Sequence, residues 1–287
     1  MIETNNVNPF ETIQQIAGGY CLPRCLHVVT ELGVADALND TPQTAHELAG
    51  KVSCNSDALA RVLRLLCAYG VFTVEGQHFG HSPASKLLCS DHPQSMRSFA
   101  LMFGLDFNWS LYETLSEAVK TGQPAVEQKY PGGFWKYFAE HEEENSIFNA
   151  AMAAKAQGQI PGLVASYDFS KFSVIGDIGG GRGHLLQAVL RAVPQAKGVL
   201  FDLPHVIKEA SGIASERLSL HAGDFFKDYL PQCDIYLVME IIHDWPDEEA
   251  VNILKSIRQA SPPHATLLLI ETIVPEHAGP DWSKMLD

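Results

Sequence analysis

The chain has 287 residues, 46% of them hydrophobic and 19% charged, which supplies a sizeable core and argues against disorder. Twenty basic against thirty-four acidic side chains leave a net charge of −14, the wrong sign for tracking nucleic-acid phosphates or an anionic membrane. Six cysteines without a leader-like N-terminus read as the reduced thiols of a soluble cytoplasmic protein, and no apolar run approaches the roughly 18 residues of a membrane helix.

The first hundred residues read as helical. One helix is expected over about Arg24 to Asn39 and a short one from Thr44. A third places Leu59, Val62, Leu63, Leu66 and Cys67 on one face, with Asn55 or Ser56 suited to its N-cap and Gly70 to its left-handed close. Val71-Phe72-Thr73-Val74, a turn at Glu75-Gly76-Gln77, and His78-Phe79 form a small hairpin, which completes the order of a winged helix. Residues 1–100 nevertheless carry six Lys and Arg against nine Asp and Glu, and the would-be recognition helix offers only Arg61 and Arg64. A dimerisation or packing module suits that charge better than DNA binding does.

Helical patterning continues from Trp109 to Ala165, interrupted at Gly122, Pro124 and Pro131-Gly132-Gly133. Near Asp168 the period changes. Short apolar runs at Val174–Ile178, Gly198–Phe201, Leu218–Leu220, Ile235–Val238 and Thr266–Ile270 alternate with helical stretches, one of which aligns Leu185, Leu186, Val189 and Leu190. Buried strands alternating with helices predict an α/β fold with a doubly wound, Rossmann-like parallel sheet. The expected organisation is a winged-helix-like module over 1–105, a helical acceptor-pocket segment over 106–167 and a nucleotide-type domain over 168–287.

Asp177-Ile178-Gly179-Gly180-Gly181-Arg182-Gly183 closes the first of these strands and opens a helix, a geometry suited to close approach by a ligand. A dinucleotide fingerprint fails in both frames, because it would need glycine or alanine where His184 or Leu186 stands. Asp177 in the mouth of the loop would repel pyrophosphate but suit an ammonium group. Asp202 ends the second strand, where a carboxylate takes ribose hydroxyls, and Gly223-Asp224-Phe225 follows the third, offering an acid for an exocyclic amine and an aromatic wall for a purine. The ligand matching all three is S-adenosylmethionine.

These residues, with Phe201-Asp202-Leu203-Pro204, Gly223-Asp224-Phe225-Phe226 and Ile242-His243-Asp244-Trp245, resemble the small-molecule O-methyltransferases, the acetylserotonin, caffeate-type, polyketide and phenazine enzymes. The likeness runs from about residue 10 to the C-terminus. It implies a homodimer whose N-terminal domain contributes to the partner's acceptor pocket, and methylation of an aromatic or enolic hydroxyl. His243, just past the fourth strand, falls at the family's catalytic base, and imidazole, titrating near 6.5 in water, suits that task. Glu271, 28 residues on at the end of the fifth strand, matches the second catalytic residue and can reach His243. Asp244 is placed to assist. By resemblance Trp135, Phe148 and Met152 line the acceptor cleft, and Met239 stands where relatives often carry a polar or basic residue near the cofactor.

No metal is expected: Asp247-Glu248-Glu249 beside His243 follow Pro246, where acids complement a helix dipole. Family members continue past Asp287 into a helix and two more strands that cover the fifth strand and usually bring a third catalytic glutamate. The resemblance leaves two alternatives: members that use the cofactor for hydroxylation, decarboxylation or pericyclic chemistry, and a non-catalytic dimeric partner.

Overall fold

A computed structural model describes residues 8–286. The start of the N-terminus, read above as lacking a leader, and Asp287 lie outside the described residues. The chain forms two compact units that divide between Lys155 and Ala156.

The first unit begins with α1 (Pro9–Gly18), capped by the Asn8 carboxamide, and α2 (Cys21–Glu31). The single helix expected to reach Asn39 instead stops at Glu31. Gly33, at φ +71°, turns the chain, and the separate turn Val34–Ala37 buries Val34 and Ala35. β1 (Gln43–Thr44) leads into α3 (Ala45–Val52) through a capping box in which Thr44 and Glu47 satisfy each other's backbone amides.

α4 (Ser56–Ala68) is capped by Asn55, which accepts from the Ala58 amide at 2.9 Å, and Gly70 follows at φ +76°. The expected hairpin is β2 (Phe72–Glu75) with β3 (His78–His81), and β1 adds a third strand antiparallel to β3. Val29, Leu48, Leu59, Leu63, Leu66 and Phe72 fill the core between these elements. The stretch after residue 105 is broken into Asp106–Tyr112, Leu115–Thr121 and Ala125–Lys129, then α5 (Gly133–Glu140) and the long α6 (Glu142–Ser166).

The second unit is a parallel sheet of β4 (Val174–Ile178), β5 (Lys197–Asp202), β6 (Leu218–Ala222), β7 (Ile235–Met239) and β8 (Thr266–Ile270) in the order β6-β5-β4-β7-β8. Chain direction across the sheet reverses between β4 and β7, so the loops after those strands flank a crevice at their carboxyl ends. α7 (His184–Ala192) buries Leu185, Leu186, Val189 and Leu190 against the sheet. α8 (Asp247–Ala260) buries Ala250, Ile253 and Ile257 and carries Asp247, Glu248 and Glu249 in its first turn. β8 lies at the sheet edge, and its exposure alternates, Leu267 and Leu269 being 40% and 43% exposed. No described helix is long and apolar enough to cross a membrane.

Candidate active site

Register brings the carboxyl ends of all five strands of the parallel sheet together. Ile178 pairs with Phe201, Asp202 with Ala222, Asp177 with Leu237 and Met239 with Ile270, so the loops that follow leave the sheet at one end. In the glycine loop, Gly179, Gly181 and Gly183 have φ of +70°, +57° and +72°, values that side chains rarely adopt. A Cβ on Gly179 would also come within 2.6 Å of Ile241 Cδ1, whereas one on Gly181 would meet open space. The loop is therefore tight against the protein on one side and bare on the other, which suits a backbone that a ligand approaches.

Asp202 fixes this loop from the next strand. Its Oδ2 accepts from the Gly181 amide at 2.8 Å and its Oδ1 from Leu203 at 2.7 Å. Burial raises the Asp202 carboxyl and those two amides oppose the rise. Each oxygen keeps acceptor capacity for a further donor such as a ribose hydroxyl. After β6, the Gly223 amide bonds the Asp202 carbonyl at 3.0 Å, and Asp224 accepts from the Phe226 amide and the Lys227 ammonium. Burial works to raise the Asp224 carboxyl, but Lys227 and the Phe226 amide outweigh it and hold it below the usual carboxylate range. Phe225 lies 3.9 Å from where a Gly179 side chain would begin, and its ring meets Trp245 edge-on at 6.0 Å. The three loops thus pack on one another. Met239, ending β7, is half-buried against the core.

Asp177 departs from expectation. It does not stand in the mouth of the loop: it is 1% exposed, with its carboxyl directly beneath Gly180 and one oxygen, Oδ2, without a partner. Burial, reinforced by the nearby Asp202 charge, pushes its pKa up to about 7 against the opposing pull of the Leu186 amide. In the unfolded chain this acid ionises near the ordinary 3.8, so the fold binds the proton more tightly. The stability Asp177 contributes is complete below that pH and is lost as pH rises toward 7. Asp177→Asn, which keeps the neutral shape, should therefore gain on the parent as pH rises from about 4 to about 7 and hold the advantage above that, by up to about 4 kcal/mol, in urea unfolding at each pH. An advantage that is constant with pH would assign the burial no ionisation cost.

The chain leaves β7 into a 3₁₀ turn, Ile242–Asp244, that presents His243 with its side chain half exposed. Glu271, immediately after β8, reaches back to this turn. Its Oε2 lies 2.6 Å from His243 Nδ1, while its Oε1 accepts from the amides of Ile241 at 3.1 Å and Ile242 at 2.8 Å. One carboxylate therefore caps the start of the turn and orients the imidazole. Asp244 Oδ1 lies 3.3 Å from the other ring nitrogen, Nε2. The two amides escaped the sequence reading because their role is a backbone one, with no residue type to mark it.

The aromatic segment belongs to the first unit. Trp135 on α5 and Phe148 on α6 are 6.1 Å apart and share a cluster with Phe134 and Phe138, over the buried Phe107. Met152 is half-buried one turn further along α6. Within the same cluster the Tyr137 hydroxyl bonds Glu144, and burial first, then that carboxylate, push its phenol up to about 12.

A glycine loop on a doubly wound sheet, acids at the ends of the next two strands and a histidine–glutamate pair beside them define a nucleotide-dependent group-transfer domain. Comparison with known proteins names the class: residues 112–286 match the O-methyltransferase domain and residues 14–91 the O-methyltransferase dimerisation domain, and the chain belongs to this family of S-adenosylmethionine-dependent O-methyltransferases. It is 37% identical over 279 residues to phenazine O-methyltransferase PhzM of Lysobacter antibioticus, covering 95% of this chain and 82% of that one. The crystal structure of LaPhzM superposes with a TM-score of 0.91 at 36% identity, covering 98% of this chain and 86% of the other. NcsB1 from neocarzinostatin biosynthesis, solved with S-adenosyl-L-homocysteine and 1,4-dihydroxy-2-naphthoic acid, is 30% identical with a TM-score of 0.75 over 92% of this chain and 82% of its own. The cofactor is S-adenosyl-L-methionine. The bare face of Gly181 and the unsated acceptors of Asp202 fit a nucleoside of that kind.

Proposed function

We propose that this enzyme methylates a hydroxyl of an aromatic or enolic small molecule of secondary metabolism, with His243 as general base. The observation that carries the reading is the 2.6 Å contact between His243 Nδ1 and Glu271 on an exposed turn packed against the glycine loop. Bound there, S-adenosylmethionine supplies a sulfonium methyl, an electrophile that needs only an aligned nucleophile. His243 donates its Nδ1 hydrogen to Glu271, which leaves the Nε2 lone pair to take the proton of the acceptor hydroxyl. Asp244 Oδ1, 3.3 Å from Nε2, lies close enough to steady the imidazolium that proton transfer creates.

In the cofactor site, Gly179, Gly181 and Gly183 shape the bed and Asp202 takes the ribose. Asp224, Phe225 and Gly223 flank the base, Met239 closes one side, and Asp177 supports the loop from below. Trp135, Phe148 and Met152 are the acceptor wall on a segment spanning 106–167, between a dimerisation module at 1–105 and a catalytic domain at 168–287. The partner is a second copy. The stripe of Phe10, Ile13 and Ile16 on α1, 79%, 67% and 73% exposed, supports this, because apolar surface of that kind is normally covered. The six free thiols suit a reducing cytoplasm.

The deciding assay incubates the chain with methyl-labelled cofactor and a panel of phenols. Equimolar release of labelled ether and S-adenosylhomocysteine is expected, whereas acceptor turnover without transferred label would favour non-methylating chemistry.

A further inference from the structure

Two described non-glycine residues have a left-handed backbone, Ser53 and Glu240, each at φ +54°. Ser53 is accounted for by its place at the C-terminal cap of α3. Glu240 caps no helix. It sits between β7 and the turn bearing His243, and such a conformation costs an L-residue energy that something must hold.

What it holds is visible in the amides around it. Glu240's own N–H still continues the β7–β8 ladder, donating to the Ile270 carbonyl at 2.9 Å. Extended backbone would send the next two amides to opposite sides of the strand, and they could not share an acceptor. Instead the left-handed Glu240 is followed by Ile241 in the right-handed region, φ −118° and ψ −45°. Successive residues of alternating hand gather their N–H groups into a concavity that binds an anion. The anion is the Glu271 carboxylate: both amides converge on Oε1, and Oε2 is left directed at His243.

We propose that Glu240 is a positioning residue whose left-handed backbone builds the amide nest that grips Glu271 and so aims it at His243. The inference rests on the roles given above to His243 and Glu271, but its ground-state tests involve no methyl transfer. Three variants of the full chain separate backbone from side chain. Glu240→Gly and Glu240→Asn accept the left-handed region; Glu240→Val resists it.

With ¹⁵N-histidine labelling, the parent, Glu240→Gly and Glu240→Asn should show a downfield Nδ1–H resonance of His243, and Glu240→Val should lose it. Exchange of the Ile241 and Ile242 amides should quicken about tenfold or more in Glu240→Val alone. On a phenol accepted by the parent, kcat of Glu240→Val should fall about tenfold or more, with KM for the cofactor little changed and turnover rescued in Glu240→Asn.

A Val variant that keeps the resonance and the protection would overturn the proposal. Loss of both in Glu240→Gly would also overturn it, because the side chain would then be the agent. If Glu240→Val does not fold, Glu240→Ala is read against Glu240→Gly by the same criteria. A lost resonance with unchanged turnover would uphold the positioning and overturn the role given to His243.

Discussion

His243→Ala is expected to lower kcat by roughly 10²- to 10⁴-fold, the range a general base usually supplies, while calorimetric affinity for S-adenosylmethionine stays within about threefold of the parent. The separation of effects follows from the geometry. His243 stands on the 3₁₀ turn after β7 and is held by Glu271, whereas the loop that beds the cofactor is tied by Asp202. Glu271→Gln keeps the shape but cannot accept the Nδ1 hydrogen equally well, so it should cost less than His243→Ala. The double variant should be little worse than His243→Ala alone, since the two residues act as one unit. Equal loss of binding and turnover in His243→Ala would show that the histidine belongs to the cofactor bed, and the base would have to be sought elsewhere.

Asp202→Ala should weaken cofactor binding about a hundredfold or more, read by the same calorimetry. Two losses combine. The ribose loses a charged acceptor, a bond of roughly 1.5–3 kcal/mol, and the amides of Gly181 and Leu203 lose theirs. Asp202→Asn distinguishes them, because one amide oxygen still accepts from a backbone N–H while the carboxylate charge is gone. Binding by Asp202→Ala close to the parent's would mean that the loop holds its form without this anchor and that the nucleoside is recognised by other groups.

Much of this arrangement is legible in the chain. Glycines, carboxylates and the histidine are conspicuous because they stand at the ends of apolar runs, and a parallel sheet puts all such ends on one side. The reach of Glu271 to His243 could be argued from strand order alone, and the 2.6 Å contact follows from the Met239–Ile270 register.

What stayed hidden has physical reasons. The break at Gly33 came from one left-handed glycine inside an otherwise helical pattern, and propensity cannot weigh that against the packing of Val34 and Ala35. Asp177 reads as open to a ligand because it ends a strand just before the glycines; only the folded loop shows that Gly180 closes over it. The amides of Ile241 and Ile242 and the hand of Glu240 are properties of the backbone, and a string of side chains does not record them.

The grip of Glu271 on the turn also bears on the order in which the molecule is assembled. Parallel pairing of β8 on β7 joins Ile235 to Thr266, residues separated by the whole of α8, and such a ladder closes only after its crossover has been paid for in chain entropy. Until β8 docks, Glu271 is absent from the turn, the Ile241 and Ile242 amides face water, and His243 has no fixed tautomer. On the role proposed for His243, a chain caught short of that step has its glycine loop but not the carboxylate that aims the imidazole, so the onset of methyl transfer during refolding should report the docking of β8.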